Sequence, residues 1–333
     1  MNNKFSSLLG NEKLKSIMSK DIEEKRISHA YLIEGPDGSG KHTFALDIIR
    51  AISCRGGGGN IPCNTCEICR KINSGFFSDI SYINSGENAT ISVEKIRDMT
   101  STVNYVPDED VPYKFYIIEN AERMTPSAQN ALLLTLEEPP KYVVFFLLTD
   151  DSQSLLETVR SRVITLKTEV FSPESVIEFL KTFPEFSSLS REKLRSAAVI
   201  SKGAPGMALK ILKGNSGSES VFSDADKMVS LITDGNAGEL LLFCSALKPE
   251  RQICDSLFDY VLSAFRDLIA YKNGFCRFTF FDSEENVSSI CRRMTLSKLY
   301  KIYEEVEKAK NDICKANANI NLVMIDLAAK TAL

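Results

Sequence analysis

At 333 residues, with 44% hydrophobic and 25% charged residues, the chain has the composition of a soluble globular protein and is long enough for two or three domains. Its formal net charge of −4 counts against a protein that grips nucleic acid alone, because neutralising phosphates takes clustered Lys and Arg. The only two histidines, His29 and His42, flank a glycine-rich loop, which disfavours a histidine-dependent hydrolase or a histidine-ligated catalytic metal.

The first ten residues hold no apolar stretch of signal-peptide length. The longest strongly apolar run, Tyr142 to Leu148, is far short of the roughly 20 residues that span a bilayer. A cytoplasmic protein is expected, in which nine cysteines stay reduced and serve as metal ligands or core residues. Buried strands are predicted at Ala30–Ile33, Ile80–Ile83, Phe115–Ile118, Val143–Leu148 and Val163–Leu166, with helical patterns between them. That alternation implies an α/β domain over residues 1–168, with a largely parallel sheet covered by helices on both faces.

Gly35-Pro36-Asp37-Gly38-Ser39-Gly40-Lys41 follows the first strand and precedes a helix, the context of a phosphate-binding Walker A loop. Its glycines let backbone N–H groups approach phosphate oxygens, and Lys41 adds positive charge. The next residue should carry a hydroxyl for magnesium but is His42, and Thr43 is displaced by about 100° around the helix. The third strand should end in two carboxylates but ends in Glu119-Asn120, which leaves no carboxylate at the second position to polarise water. Efficient hydrolysis is therefore not expected. Weak binding of ATP or ADP and a purely architectural loop both remain open.

Cys54, Cys63, Cys66 and Cys69 form C-x8-C-x2-C-x2-C. Four thiolates at about 2.3 Å from one ion make a closed tetrahedral zinc site, which serves structure and not catalysis. The rivals are an iron–sulfur cluster, against which the upstream fourth cysteine and the absence of Cys-Pro after Cys69 count, and no metal at all. The other five cysteines, Cys244, Cys254, Cys276, Cys291 and Cys314, read as small buried hydrophobes.

A helix over about 126–138 is set by Thr125 as cap, Pro126 in the first turn and Pro139-Pro140 as terminator, with Ala128, Ala131, Leu132 and Leu136 facing the core. From residue 169 the pattern turns wholly helical. A small lid is expected over 169–214, with helix starts at Ser172 and Ser190 and a break at Gly203–Gly206. A linker of small polar residues, Gly214–Ser218, follows, and then a second helical domain over 219–333. In the latter, Ile253, Leu257, Val261, Ala264 and Leu268 form one stripe and Leu296, Leu299, Ile302 and Val306 another.

His29-Ala30-Tyr31-Leu32, the four-cysteine insert after the phosphate-loop helix, and the segment Ala128 to Pro140, with Ala128-Gln129-Asn130-Ala131-Leu132-Leu133 at its start, resemble the bacterial clamp-loader subunits of DNA polymerase III. The resemblance implies an AAA+ domain, a three-helix lid and a helical collar that joins subunits into a ring. Its partners are then gamma or tau and delta subunits, with the sliding clamp and primed DNA reached through the assembly. Within the family, His42 and Asn120 favour a delta-prime-like member over an ATP-hydrolysing gamma or tau. Ser161-Arg162-Val163 matches the family's Ser-Arg-Cys motif, so Arg162 is implied as an arginine finger acting on a neighbour's ATP, with Arg160 the fallback. Met207 stands where the family's lid arginine is expected, and Leu134 where a lysine is common. The alternatives are a gamma- or tau-like active ATPase and a zinc-dependent nucleic-acid-binding protein. The acidic charge and the lack of aromatic–basic interleaving around the cysteines oppose the last of these.

Overall fold

The computed structural model describes all residues except 1–4, 6–7, 57–60, 87–89, 188, 190, 214–216, 248–250, 277, 279, 282–283, 315–317 and 332–333. Its compact units are Met1–Val170 with Ala204–Gly206, and Phe171–Gly203 with Met207–Leu333.

The first unit runs α1 (Glu12–Glu23), β1 (Ala30–Glu34), α2 (Lys41–Ser53), α3 (Glu67–Asn73), β2 (Ile80–Ile83), α4 (Val93–Thr102), β3 (Lys114–Ile118), α5 (Pro126–Glu137), β4 (Val143–Thr149), α6 (Glu157–Arg160) and β5 (Ile164–Lys167). The strands make one parallel sheet in the order β2-β3-β4-β1-β5. Side chains on a strand alternate between faces, and here both faces are covered, which is why the central strands read as unbroken apolar runs. Tyr31, Ile33, Phe115, Ile117, Val144 and Phe146 pack with Phe44, Ile48 and Ile49 of α2 and Ile68 and Ile72 of α3. Ala30, Leu32, Tyr116, Ile118, Phe145 and Leu147 pack with Ile96 and Met99 of α4 and Ala128, Leu132 and Leu136 of α5. β3 and β4 are buried throughout, whereas the edge strands β2 and β5 are partly open.

α5 forms as its sequence dictates. The Thr125 hydroxyl accepts the Ala128 N–H at 3.2 Å, Pro126 occupies the first turn, and the helix stops before the two prolines. The expected α/β domain with a parallel sheet covered by helices on both faces is present, and the expected strands match the observed ones to within a residue at each end.

The second unit is helical: α7 (Pro173–Lys181), α8 (Arg191–Ile200), α9 (Pro205–Lys213, whose first two residues belong to the first unit), α10 (Gly217–Asp234), α11 (Ala237–Ala246), α12 (Arg251–Lys272), α13 (Glu284–Arg293), α14 (Leu296–Cys314) and α15 (Ile320–Thr331). Val176, Leu180, Leu194, Ala197 and Ala208 form a small core. Leu257, Val261, Ala264, Leu268, Leu299, Ile302 and Val306 lie in a larger one. These cores divide near residue 214. Compactness nevertheless groups the helices together, as α8 packs on α12 and Arg195 Nη2 donates to Phe281 O at 2.8 Å.

Several expectations need amendment. α10 begins at Gly217, so the linker reading runs two residues too far; 214–216 lie outside the described residues. The side chains of Ile253 and Cys314 lie outside them too, and Leu296 is half-buried and not core. Cys244, Cys254 and Cys291 are buried, but Cys276 is exposed, since it sits in an irregular segment after α12 and not on a helix's inner face. No helix among the described residues is long and apolar enough to cross a membrane.

Candidate functional site

β1 lies between β4 and β5, while the chain leaving it travels through α2 to β2 at the far edge. The loop at the carboxyl end of β1 therefore opens at the point where the strand order reverses, the place where parallel sheets bind ligands. Gly38 (φ 78°) and Gly40 (φ 94°) take left-handed conformations that only glycine adopts without strain, and Gly40 caps α2. The first N–H groups of α2 are turned towards the loop, as an anion requires. Gly206 donates its N–H to Gly38 O at 2.7 Å.

Lys41 Nζ is largely enclosed and meets Gly35 O at 2.6 Å, Pro36 O at 3.1 Å and Asp150 Oδ1, just beyond β4, at 2.6 Å. His42 is exposed in the first turn of α2. Its Nε2 lies 3.4 Å from Glu119 Oε1 and its ring stacks on Tyr82 at 5.8 Å between centroids. Asn84 Nδ2 donates to the other oxygen of Glu119 at 3.4 Å. Thr43 is half-buried one residue further along α2. Glu119 extends the β3 ladder by donating its N–H to Ile83 O at 2.8 Å, and Asn120 turns the chain with φ 51°. The Glu122 carboxylate accepts from the Thr149 hydroxyl at 2.9 Å and the Asp150 N–H at 3.4 Å, so it secures the end of β4.

The four cysteines converge at the other end of α2. Cys54 is the residue at which α2 ends, Cys66 caps α3, Cys69 is buried within it, and Cys63 lies in the connecting loop. All four sulfurs lie within 4.8 Å of one another. A tetrahedron of 2.3 Å bonds would separate them by about 3.8 Å, so the donor set fits zinc. The thiols are already wired as acceptors: Cys54 Sγ takes the N–H groups of Gly56 and Cys63, each at 3.3 Å, and Cys63 Sγ takes that of Cys66 at 3.3 Å. The N–H groups of Thr65 and Cys66 hold Cys63 down to about 5. Burial pushes Cys54 and Cys69 up. Cys66 is lowered against the upward pull of its own burial by the N–H groups of Cys69 and Arg55. A Cβ on Gly56 would lie 2.6 Å from Cys63 Cβ, so only glycine lets the chain pass there.

Arg162 sits apart from both groups, on the turn between α6 and β5. Its Nη2 lies 2.6 Å from Glu137 Oε1, and its Nη1 donates to Thr158 O at 2.8 Å. The side chain remains one-third exposed. Arg160 Nη1 donates to Gln153 Oε1 at 3.0 Å.

Residues 10–172 match the family model described as DNA polymerase III, delta subunit. Over this stretch the chain is similar to clamp-loader subunits of DNA polymerase III. A tau subunit from Bacillus subtilis is 28% identical over 288 residues, covering 81% of this chain and 51% of the relative. A delta' subunit from the same organism is 35% identical over 160 residues, 48% of each chain. A gamma subunit from Buchnera aphidicola is 33% identical over 177 residues, 53% of this chain and 48% of that one. The chain thus spans about half the length of these curated relatives. Identities to gamma, tau and delta' overlap, so they do not separate one kind of subunit from another. Among solved structures, a gamma-subunit-related protein from Thermotoga maritima aligns with 96% of this chain and 98% of its own at 21% identity, with a TM-score of 0.45.

Sequence reasoning missed Asp150 and Tyr82 at this site. Asp150 lies 109 residues from Lys41. Its signal was available, since it directly follows a central strand and ends where the phosphate loop begins. Tyr82, on an edge strand, had none beyond its aromatic character.

Proposed function

We propose that the chain is a delta-prime-like clamp-loader subunit that turns over no ATP of its own and lends Arg162 to the ATP of a neighbouring gamma or tau subunit. In this reading it works with delta, helps open the sliding clamp and places it on primed DNA. The observation that supports it most is His42. Where a hydroxyl would hold magnesium stands an exposed imidazole on Tyr82, beside Glu119, and Asn120 offers no second carboxylate. Arg162 supports the outward role, because its guanidinium is one-third exposed and held by a surface carboxylate that a neighbour's phosphates can outcompete.

The four cysteines hold a structural zinc ion that fastens the end of α2 to α3, and Gly35, Gly38, Gly40 and Lys41 retain the backbone cradle of a phosphate loop that holds ATP or ADP weakly at most and lacks the groups that spend it. Residues 1–168, 169–214 and 219–333 act as nucleotide-type domain, lid and collar. The second reading, a gamma- or tau-like motor, draws on the tau alignment, which reaches 81% of this chain, and on the retained Lys41.

Reconstitution with delta and gamma or tau subunits, clamp and primed DNA tests the proposal. Arg162→Ala should lower turnover by about 10³-fold. Unchanged turnover removes the finger.

A further inference from the structure

We propose that Asp150 determines what the phosphate loop accepts: its carboxylate serves Lys41 as a built-in anion and selects against nucleoside polyphosphates. This rests on the reading of the loop as a site without hydrolysis and adds the residue that sets its affinity.

An ammonium has three N–H donors, and those of Lys41 are matched by Gly35 O, Pro36 O and Asp150 Oδ1, two of them at 2.6 Å. The cation is saturated and neutralised by the chain itself. Asp150 is held to this task. β4 neighbours β1 in register, Gly35 donates its N–H to Thr149 O at 3.1 Å, and Thr149 and Asp150 are both fixed on Glu122. The Lys41 side chain is 11% exposed and that of Asp150 49%, so the cation is shielded from water while the carboxylate is half open to it.

A polyphosphate entering the cradle must break the Lys41–Asp150 bond and then lie close to Asp150, with Glu119 and Glu122 on the neighbouring strand end. Like charges at such range oppose binding. A magnesium ion would relieve that repulsion, but the position that would fix it is His42. Asp150→Asn keeps the shape and an acceptor for Lys41 while removing the charge.

The full zinc-loaded chain is titrated with ribose-labelled fluorescent ADP, once with magnesium and once with EDTA. Asp150→Asn should bind at least about tenfold more tightly than the parent in both buffers, since removing one like charge at this range is worth that factor. Adding Lys41→Ala should abolish the gain. Asp150→Ser serves in place of Asn if the latter melts early. Equal or weaker binding by a folded variant overturns the proposal, and weakening confined to magnesium would make Asp150 a cation ligand instead. Neither titration reads turnover, so the proposal can fail while the non-hydrolysing reading stands, and a Lys41-dependent ATPase would defeat that reading separately.

Discussion

At its first residue α2 supports the phosphate loop, and where it ends it delivers Cys54 to the cysteine cluster. Both ends depend on glycines and on N–H groups aimed at an expected ligand. They differ in the side chains that complete them. At the cysteine end four equivalent donors converge, and all have N–H partners or burial that orient them. At the loop end there is a backbone cradle, but His42 and Asn120 stand where a hydroxyl and a second carboxylate were expected, and the Lys41 cation is already paired. The backbone frame at the loop end is also part of the fold: Gly40 starts a helix whose Phe44, Ile48 and Ile49 fill the core.

The contrast can be broken first at the cysteine end. Cys69→Ser should take zinc content from one ion per chain to none and lower the melting temperature by about 10 °C, since structural zinc binding is folding free energy. Elemental analysis and calorimetry read both, and an unshifted melt would make the cluster ornamental. Gly56→Ala should be milder. Its methyl must move Cys63 aside, at a cost of about 1–3 kcal/mol and a loss of zinc affinity that chelator competition measures. Thr125→Ala, distant from both ends, calibrates an ordinary structural loss: about 1 kcal/mol, or roughly 2–4 °C. Smallest of all, Arg162→Ala in the isolated chain should move stability by about 0–0.5 kcal/mol, because its bond to Glu137 is a surface pair. A larger loss would mean that Arg162 is structural and has little to lend.

Much of this was legible in the residues. Val143 to Leu148 and Phe115 to Ile118 are buried on both faces, so hydrophobicity alone marked them, and Thr125-Pro126 with Pro139-Pro140 framed α5 because caps and prolines act locally. The cysteine cluster was legible because its spacing is itself the geometry. What stayed hidden was long-range or depended on close approach. The Lys41–Asp150 bond and the Arg162–Glu137 pair join distant segments, the need for glycine at position 56 arises only once Cys63 folds back beside it, and Cys276 looked like its buried counterparts until its segment left the helix.

The most direct test is turnover by the purified chain alone, with magnesium and ATP, compared with Lys41→Ala. The account predicts phosphate release at background for both proteins. Release by the parent that disappears on Lys41→Ala would contradict it, since the loop would then be doing chemistry that His42 and Asn120 were held to prevent.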